Sequence, residues 1–220
     1  MKPLVIFGAG ELAEVAHFYF SNDTSREIAA FTVDAAYVKG DSCLGLPLVP
    51  FEEITDRYPA ERYDLFVALS YAKINQLRAQ KVAEARRKGY ALATYLSSRA
   101  TVWPGFEVGE NCFILEDNTI QPFAHIGTNV TLWSGNHIGH HATIHDNCFI
   151  TSHVVVSGGV VIGEGTFIGV NATLRDHVVI GKQCVIGAGS LILQDLADFS
   201  VCSAPAAELS KVPSTRLRKI

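Results

Sequence analysis

Thr143-Ile144-His145-Asp146-Asn147-Cys148-Phe149-Ile150-Thr151-Ser152-His153-Val154-Val155-Val156 places an aliphatic residue at 144, 150 and 156. Stepping outward by sixes, the pattern holds without a slip from Leu96, Val102 and Val108 to Ile180, Ile186 and Ile192. Neither a helix, with period 3.6, nor a strand, with period 2, asks for that spacing. Four residues beyond each stop the chain is mostly small, as at Ala100, Cys112, Ala124, Ala142, Cys148, Ala172 and Cys184, which suits a crowded interior corner. A sustained hexapeptide period predicts a parallel β-helix. Each hexad supplies one flat face and one turn, so three close a triangular coil. Residues eighteen apart then stack at one strand spacing, ~4.8 Å. Gly109, Gly127, Gly139, Gly163, Gly169, Gly181 and Gly187 directly follow the aliphatic stop, where the chain must bend. Asn118 and Asn136, at the inward corner position, are expected to stack as a short amide ladder.

The front of the chain reads differently. A buried strand, Leu4-Val5-Ile6-Phe7, runs into Gly8-Ala9-Gly10-Glu11-Leu12-Ala13 and then a helix whose apolar face carries Leu12, Val15, Ala16 and Tyr19. This is the opening of a Rossmann-like unit, in which the turn and the helix start offer N–H groups to phosphate. A second strand, Ile28 to Val33, ends at Asp34. The chain returns through Leu46-Pro47-Leu48 to a third strand at 64–69 and a helix at about 72–88, stopped by Gly89. A last strand at 90–95 precedes the coils. Three or four parallel strands suffice for one nucleotide. Gly10, Glu11 and Leu12 are expected to hold a diphosphate, with Asp34 meeting a nucleoside. The plainer alternative is that the glycines only let the helix pack closely on the strand.

Composition narrows the partners. The 220 residues are 48% hydrophobic, with a formal charge of −4, ample for a core and unlike a nucleic-acid or membrane surface. The five cysteines form no CxxC pair, and Cys112, Cys148 and Cys184 fall on inward repeat positions, as reduced packing residues do. Met1 leads straight into the first strand without a basic n-region, and no apolar run is long enough to span a bilayer. A cytoplasmic protein with no membrane or nucleic-acid partner is expected.

The repeats, Ile138-Gly139-His140-His141 and the GAGELA turn together resemble the NeuD/PglD-like sugar acyltransferases, over essentially the whole chain. The resemblance implies a small Rossmann-like αβ domain at 1–95 for a nucleotide-linked sugar. A left-handed β-helix at 96–197 and a tail at 198–220 follow it. It also implies acetyl-CoA as co-substrate, no metal, and a homotrimer with active sites between subunits. His140 falls on the family's catalytic-base position, and Val170 and Ala188 on positions that meet acetyl-CoA. Gly158 and Gly159, one coil beyond His140, break the aliphatic pattern and leave room for a pantetheine arm.

The sequence departs from the family in places. Where an acidic residue commonly follows the base stands His141, so Asp146 or another carboxylate orients His140, or the base is less polarised. Phe149 replaces a histidine that contacts CoA in some relatives, and that role is not carried over to His153. Ser203 stands for the glycine of a Gly-x-Pro-Ala segment, and the basic end (Lys211, Arg216, Arg218, Lys219) suits either CoA phosphates or solvent.

Acyl transfer from a thioester needs a base for the acceptor's proton, and histidine suits neutral pH. All the histidines but His17 lie from His125 to His177. A zinc reading, as in β-helical carbonic anhydrases, has His140 and His145 at H-x4-H spacing but no histidine near Pro104 for the third ligand. The expected activity is transfer of acetyl to the C4 amine of a nucleotide-linked 4-amino-4,6-dideoxy sugar, by direct attack with His140 as base. Such products serve surface polysaccharide (O-antigen) or glycan assembly. The alternatives are O-acetylation of a sialic-acid-type sugar and a non-catalytic nucleotide-sugar-binding scaffold.

Overall fold

A computed structural model describes residues 1–216, so Arg218 and Lys219 of the basic end lie outside the described residues. From Phe113 to Ile192 each hexad forms a two-residue strand ending on its aliphatic stop, as in Phe113–Ile114, Thr131–Leu132 and Phe149–Ile150, while the hexads at Val102 and Val108 make only isolated bridges. Pairing is parallel in register eighteen: Thr131 lies between Phe113 and Phe149, and His137 between Thr119 and Val155. The strands sort into three sheets, one per face of a left-handed coil. The first face carries Phe113, Thr131, Phe149 and Phe167, the second Thr119, His137, Val155 and Thr173, the third His125, Thr143, Val161 and Val179. The stops and the small corner residues form one continuous buried core.

The corners satisfy backbone groups that no water reaches. Asn118 and Asn136 do this work instead of forming the expected ladder. Both donate to the Trp133 carbonyl, at 2.9 and 2.5 Å, and Asn136 Oδ1 accepts from the Val154 amide at 2.8 Å. The amide ladder lies at the corner between third and first faces. Asn111 donates to Asn129 at 2.8 Å, Asn129 to Asn147 at 2.7 Å, and Asn147 to Glu164 at 2.8 Å. All three asparagines hold positive φ (53°, 57° and 64°), which asparagine tolerates better than most residues.

In the front domain, β1 (Leu4–Phe7), α1 (Glu11–Asp23) and β2 (Ile28–Val33) follow the sequence reading. A hairpin of β3 (Ser42–Cys43) and β4 (Leu46–Pro50), the short α2 (Ile54–Arg57), β5 (Asp64–Val67) and α3 (Gln76–Arg87) complete it. The sheet order is β3-β4-β2-β1-β5, with only β3 antiparallel. The third strand stops at Val67 and the helix begins at Gln76, later than expected. Between them Lys73, Ile74 and Asn75 hold φ of 53°, 53° and 63°, which excludes a right-handed helix. The expected strand at 90–95 reduces to a bridge of Leu92 with Leu65, while Tyr95–Leu96 already pairs with Phe113–Ile114 on the first coil face.

The two parts are tied by polar groups. Asn111 bonds the Val67 amide at 2.7 Å, and Asn75 donates to the Gly165 carbonyl at 2.9 Å. Tyr19 donates to Glu116 at 2.6 Å. Asp23 accepts from the Ser98 hydroxyl, Tyr95 and the Ser98 amide, which together hold its carboxyl down at about 2. Arg78 of α3 is fully buried in this junction. Among the described residues no helix is long and apolar enough to cross a membrane.

Candidate active site

The two glycines of the GAG turn have separate duties. Gly8 sits at φ +132°, and a Cβ there would fall 2.8 Å from the Ala68 carbonyl oxygen and 3.2 Å from Ala13 Cβ. It is the packing glycine. Gly10 has extended backbone (φ −112°, ψ −173°), and a Cβ on it would meet no protein atom within 4 Å. Its surroundings are open because it borders a cleft of about 710 Å³. One wall is the turn, with Gly10, Glu11 and Leu12. The other is the coil, with Trp133, Phe149, Thr151, Ser152 and Val170, and Ser70 and Tyr71 close one end. The Tyr71 ring lies tilted against Phe167 at 4.7 Å and meets Phe149 edge to face at 5.2 Å, which makes that end aromatic. The start of α1 presents unpaired N–H groups and the positive end of the helix dipole to this space. Glu11 and Glu14 in that first turn favour the helix itself. A carboxylate repels phosphate, so what Glu11 offers an anion in this space is its backbone amide and not its side chain.

Asp34 does not line the cleft. Its carboxylate lies 2.6 Å from Lys81 Nζ, and Lys81 is also 2.7 Å from Glu84. Burial pulls the Lys81 ammonium down, but hydrogen bonds and charge from Asp34 and Glu84 prevail and raise it overall. A smaller cleft of about 350 Å³ continues from Gly10 past the end of β2, where Tyr37, Lys39 and Ser42 are its polar lining. The sequence reading missed these residues. Their signal was position: polar and aromatic side chains just beyond a parallel strand's carboxyl end.

His140 lies elsewhere, on the corner between second and third faces. Its amide donates to Gln121 Oε1 at 2.9 Å, and its carbonyl accepts from the Gly159 amide at 2.8 Å. Both His140 and His141 are exposed. Their Nδ1 atoms lie 3.1 Å apart, with rings edge to face. His141 holds φ +59°, and its ring lies 4.8 Å from that of Phe123. The ring beside His140 is therefore that of His141, and among the described residues no carboxylate is bonded to the His140 ring. Asp146 is on a different corner, where it accepts from the Thr128 amide at 2.8 Å. His153 packs against Gly135 and is not part of the cleft lining.

The room at Gly158 and Gly159 is taken by imidazoles. A Cβ on Gly158 would fall 2.7 Å from Cε1 and 2.8 Å from Nε2 of His140, and His177 leans over Gly159. In this chain the two glycines seat histidine rings. Gly158 does not hold a positive φ, so alanine is tolerated by the backbone there and acts only by pushing the ring. Gly158→Ala is expected to cost about 10²-fold in kcat, as misplacing a reacting group by ~1 Å does. The denaturation midpoint should stay near that of the parent; equal losses in stability and rate would make Gly158 merely a packing residue.

The structure thus gathers Gly10, Glu11, Leu12 and Val170 at one cleft and His140, His141, Gly158 and Gly159 at another corner. It leaves Asp34 and Ala188 outside both. The missed cleft residues Trp133, Phe149, Thr151 and Ser152 sit on coil positions that periodicity marks only as outward. Among the described residues no group of three His, Cys, Asp or Glu is placed to hold a metal.

The family described as bacterial transferase hexapeptide (six repeats) matches residues 123–158 and 159–194. No curated protein sequence matches. Among solved structures, PerB from Caulobacter crescentus, in complex with CoA and GDP-perosamine, is 26% identical. It superposes with a TM-score of 0.82 over 93% of this chain and 95% of its own. A variant of perosamine N-acetyltransferase from the same organism, with one histidine replaced by asparagine, also holds CoA and GDP-perosamine. It is 25% identical, with a TM-score of 0.83 over 93% and 94% of the two chains. The acetyltransferase domain of PglB from Neisseria gonorrhoeae FA1090 shares the fold at 23% identity, with a TM-score of 0.80 over 94% and 99%. The likeness to sugar acyltransferases read from the repeats and the glycine turn is borne out: the hexapeptide model matches within the coils, and the likeness to solved sugar N-acetyltransferases over nearly the whole chain supports an acyltransferase.

Proposed function

We propose that the chain transfers acetyl from acetyl-CoA to the C4 amine of a nucleotide-linked 4-amino-4,6-dideoxy sugar, as a cytoplasmic homotrimer. The observation that carries this reading is the division within one chain. The cleft beside Gly10 has room and amides for a sugar nucleotide but no histidine in its lining, while His140 stands exposed on another corner. Three-fold packing of coils sets one subunit's corner against the next, so His140 of one chain serves the cleft of its neighbour. The amine attacks the thioester carbonyl, a C–N bond forms and the C–S bond breaks. His140 Nε2 takes the amine proton and returns it to the leaving sulfur. The solved relatives with CoA and GDP-perosamine support this substrate class.

A mixing experiment tests the arrangement. Gly10→Val fills the cleft without striking protein, since nothing lies within 4 Å of its Cβ. His140→Ala removes the base. Each alone should be nearly inactive with acetyl-CoA and a 4-amino sugar nucleotide. Refolded together in equal amounts, random trimers pair an intact cleft with a neighbour's intact base at about a quarter of sites. Activity near that level is expected. No recovery, with trimers seen by sedimentation, would put base and cleft within one chain and overturn the shared site.

A further inference from the structure

The candidate base has a histidine where a carboxylate would ordinarily stand, and the geometry fixes what that histidine can do. Nδ1 of His140 and Nδ1 of His141 are 3.1 Å apart. At that distance one nitrogen carries the proton and the other accepts it. We propose that His140 and His141 act as one neutral imidazole pair. His140 donates from Nδ1, His141 accepts at Nδ1 and keeps its own proton on Nε2, and His141 is thereby the positioning residue that leaves the His140 Nε2 lone pair free. The opposite arrangement puts a proton on His140 Nε2 and makes it an acid. This inference rests on reading His140 as the base.

Three contacts hold the pair. His141 is locked by its left-handed backbone (φ +59°) and by the Phe123 ring. His140 is tied at its amide to Gln121, and its ring is seated on Gly158. The groups in contact are uncharged: an amide, a phenyl ring and glycine backbone. Two coils further on, this corner carries the exposed Arg175, Asp176 and His177, and the His177 ring leans back over Gly159. When Nε2 takes the proton of the attacking amine, the imidazolium strengthens its Nδ1–H bond to neutral His141. The charge is then shared over two rings without an ion pair. The Nδ1–Nδ1 contact accommodates one proton, since protons on both nitrogens would set two N–H groups against each other at 3.1 Å.

Three substitutions separate the pair from simple packing. Phe occupies the equivalent left-handed corner position at Phe123 (φ +66°), so His141→Phe keeps the shape and removes the acceptor. It should lower kcat about tenfold, the value of one hydrogen bond to a charged group. The acid limb of the rate profile should also move to lower pH, since an acceptor that favoured the protonated base is gone. His141→Asn, which keeps an acceptor and suits positive φ, should recover all but about threefold. His141→Asp should move the limb to higher pH, because its charge favours the imidazolium. In the parent, ¹⁵N spectra of the rings should show His140 protonated at Nδ1 and His141 at Nε2. Limbs that coincide in all three variants, or the reverse tautomers, would overturn the pair. If instead His140→Ala keeps both rate and limb, the base assignment itself falls. Loss in His140→Ala with unmoved limbs in the position-141 series removes only the pairing.

Discussion

Replacing His140 with alanine is expected to lower kcat by about 10²- to 10⁴-fold, the range for losing a general base. The argument depends on where the ring sits. His140 projects from a corner whose backbone is held on both sides, by Gln121 Oε1 at its amide and by the Gly159 amide at its carbonyl. Truncation therefore removes the imidazole without releasing the coil, and the denaturation midpoint should hardly move. Acetyl-CoA affinity should stay within about threefold, because a pantetheine arm along stacked turns is held chiefly by backbone groups. The acid limb of the parent's pH profile should vanish with the ring. Retained activity would mean that the amine arrives already deprotonated, and catalysis would then rest on proximity.

How far the sequence carried depended on whether a feature was periodic. The β-helix was legible because its interior tolerates only aliphatic stops and small corner residues, and this requirement repeats from Leu96 to Ile192. Strand β2 and the GAG turn were legible for the same reason, as local patterns with one packing solution. The role of Asn111, Asn129 and Asn147 was not. Their ladder depends on positive φ at three successive coils and on the edge of β5 at its end, a tertiary fact that leaves no mark beyond "asparagine in a turn". Asp34 misled for a related reason. A carboxylate after a Rossmann-like strand suggests a ribose contact, but Lys81, forty-seven residues later, comes within 2.6 Å of it. Gly158 was singled out as leaving room for a pantetheine arm. What fills the space, the ring of His140, needed coordinates.

Arg78→Ala is expected to destabilise the protein by about 3 kcal/mol, lowering the denaturation midpoint by roughly 10 °C. Arg78 leaves α3 and reaches into the coil, where its guanidinium donates to the Thr131 hydroxyl and to the Asn147 and Cys148 carbonyls, each of these two at 3.1 Å. It also bonds Asn75 Oδ1 at 3.2 Å and lies 5.4 Å from the Phe149 ring centroid. No carboxylate is among these partners. Burial pushes the guanidinium down to about 10, only partly opposed by the thiols of Cys112 and Cys148. The charge is therefore costly where it stands, and what it gives in return is four acceptors satisfied across the junction. Alanine unpairs the Thr131 hydroxyl, Asn75 Oδ1 and the Asn147 carbonyl, leaves the Cys148 carbonyl with only its bond from the Thr131 amide, and opens a cavity. Arg78→Met fills the cavity and removes the buried charge, so its loss should be smaller, about 1 kcal/mol. Because Phe149 and Tyr71 border the cleft beside this junction, Arg78→Ala should also raise KM for the sugar nucleotide while leaving that for acetyl-CoA nearly unchanged. If methionine proves as harmful as alanine, the unpaired acceptors rather than the cavity set the loss. If neither matters, the other polar ties, among them Asn111–Val67, Tyr19–Glu116 and Asp23–Ser98, join the two parts without it.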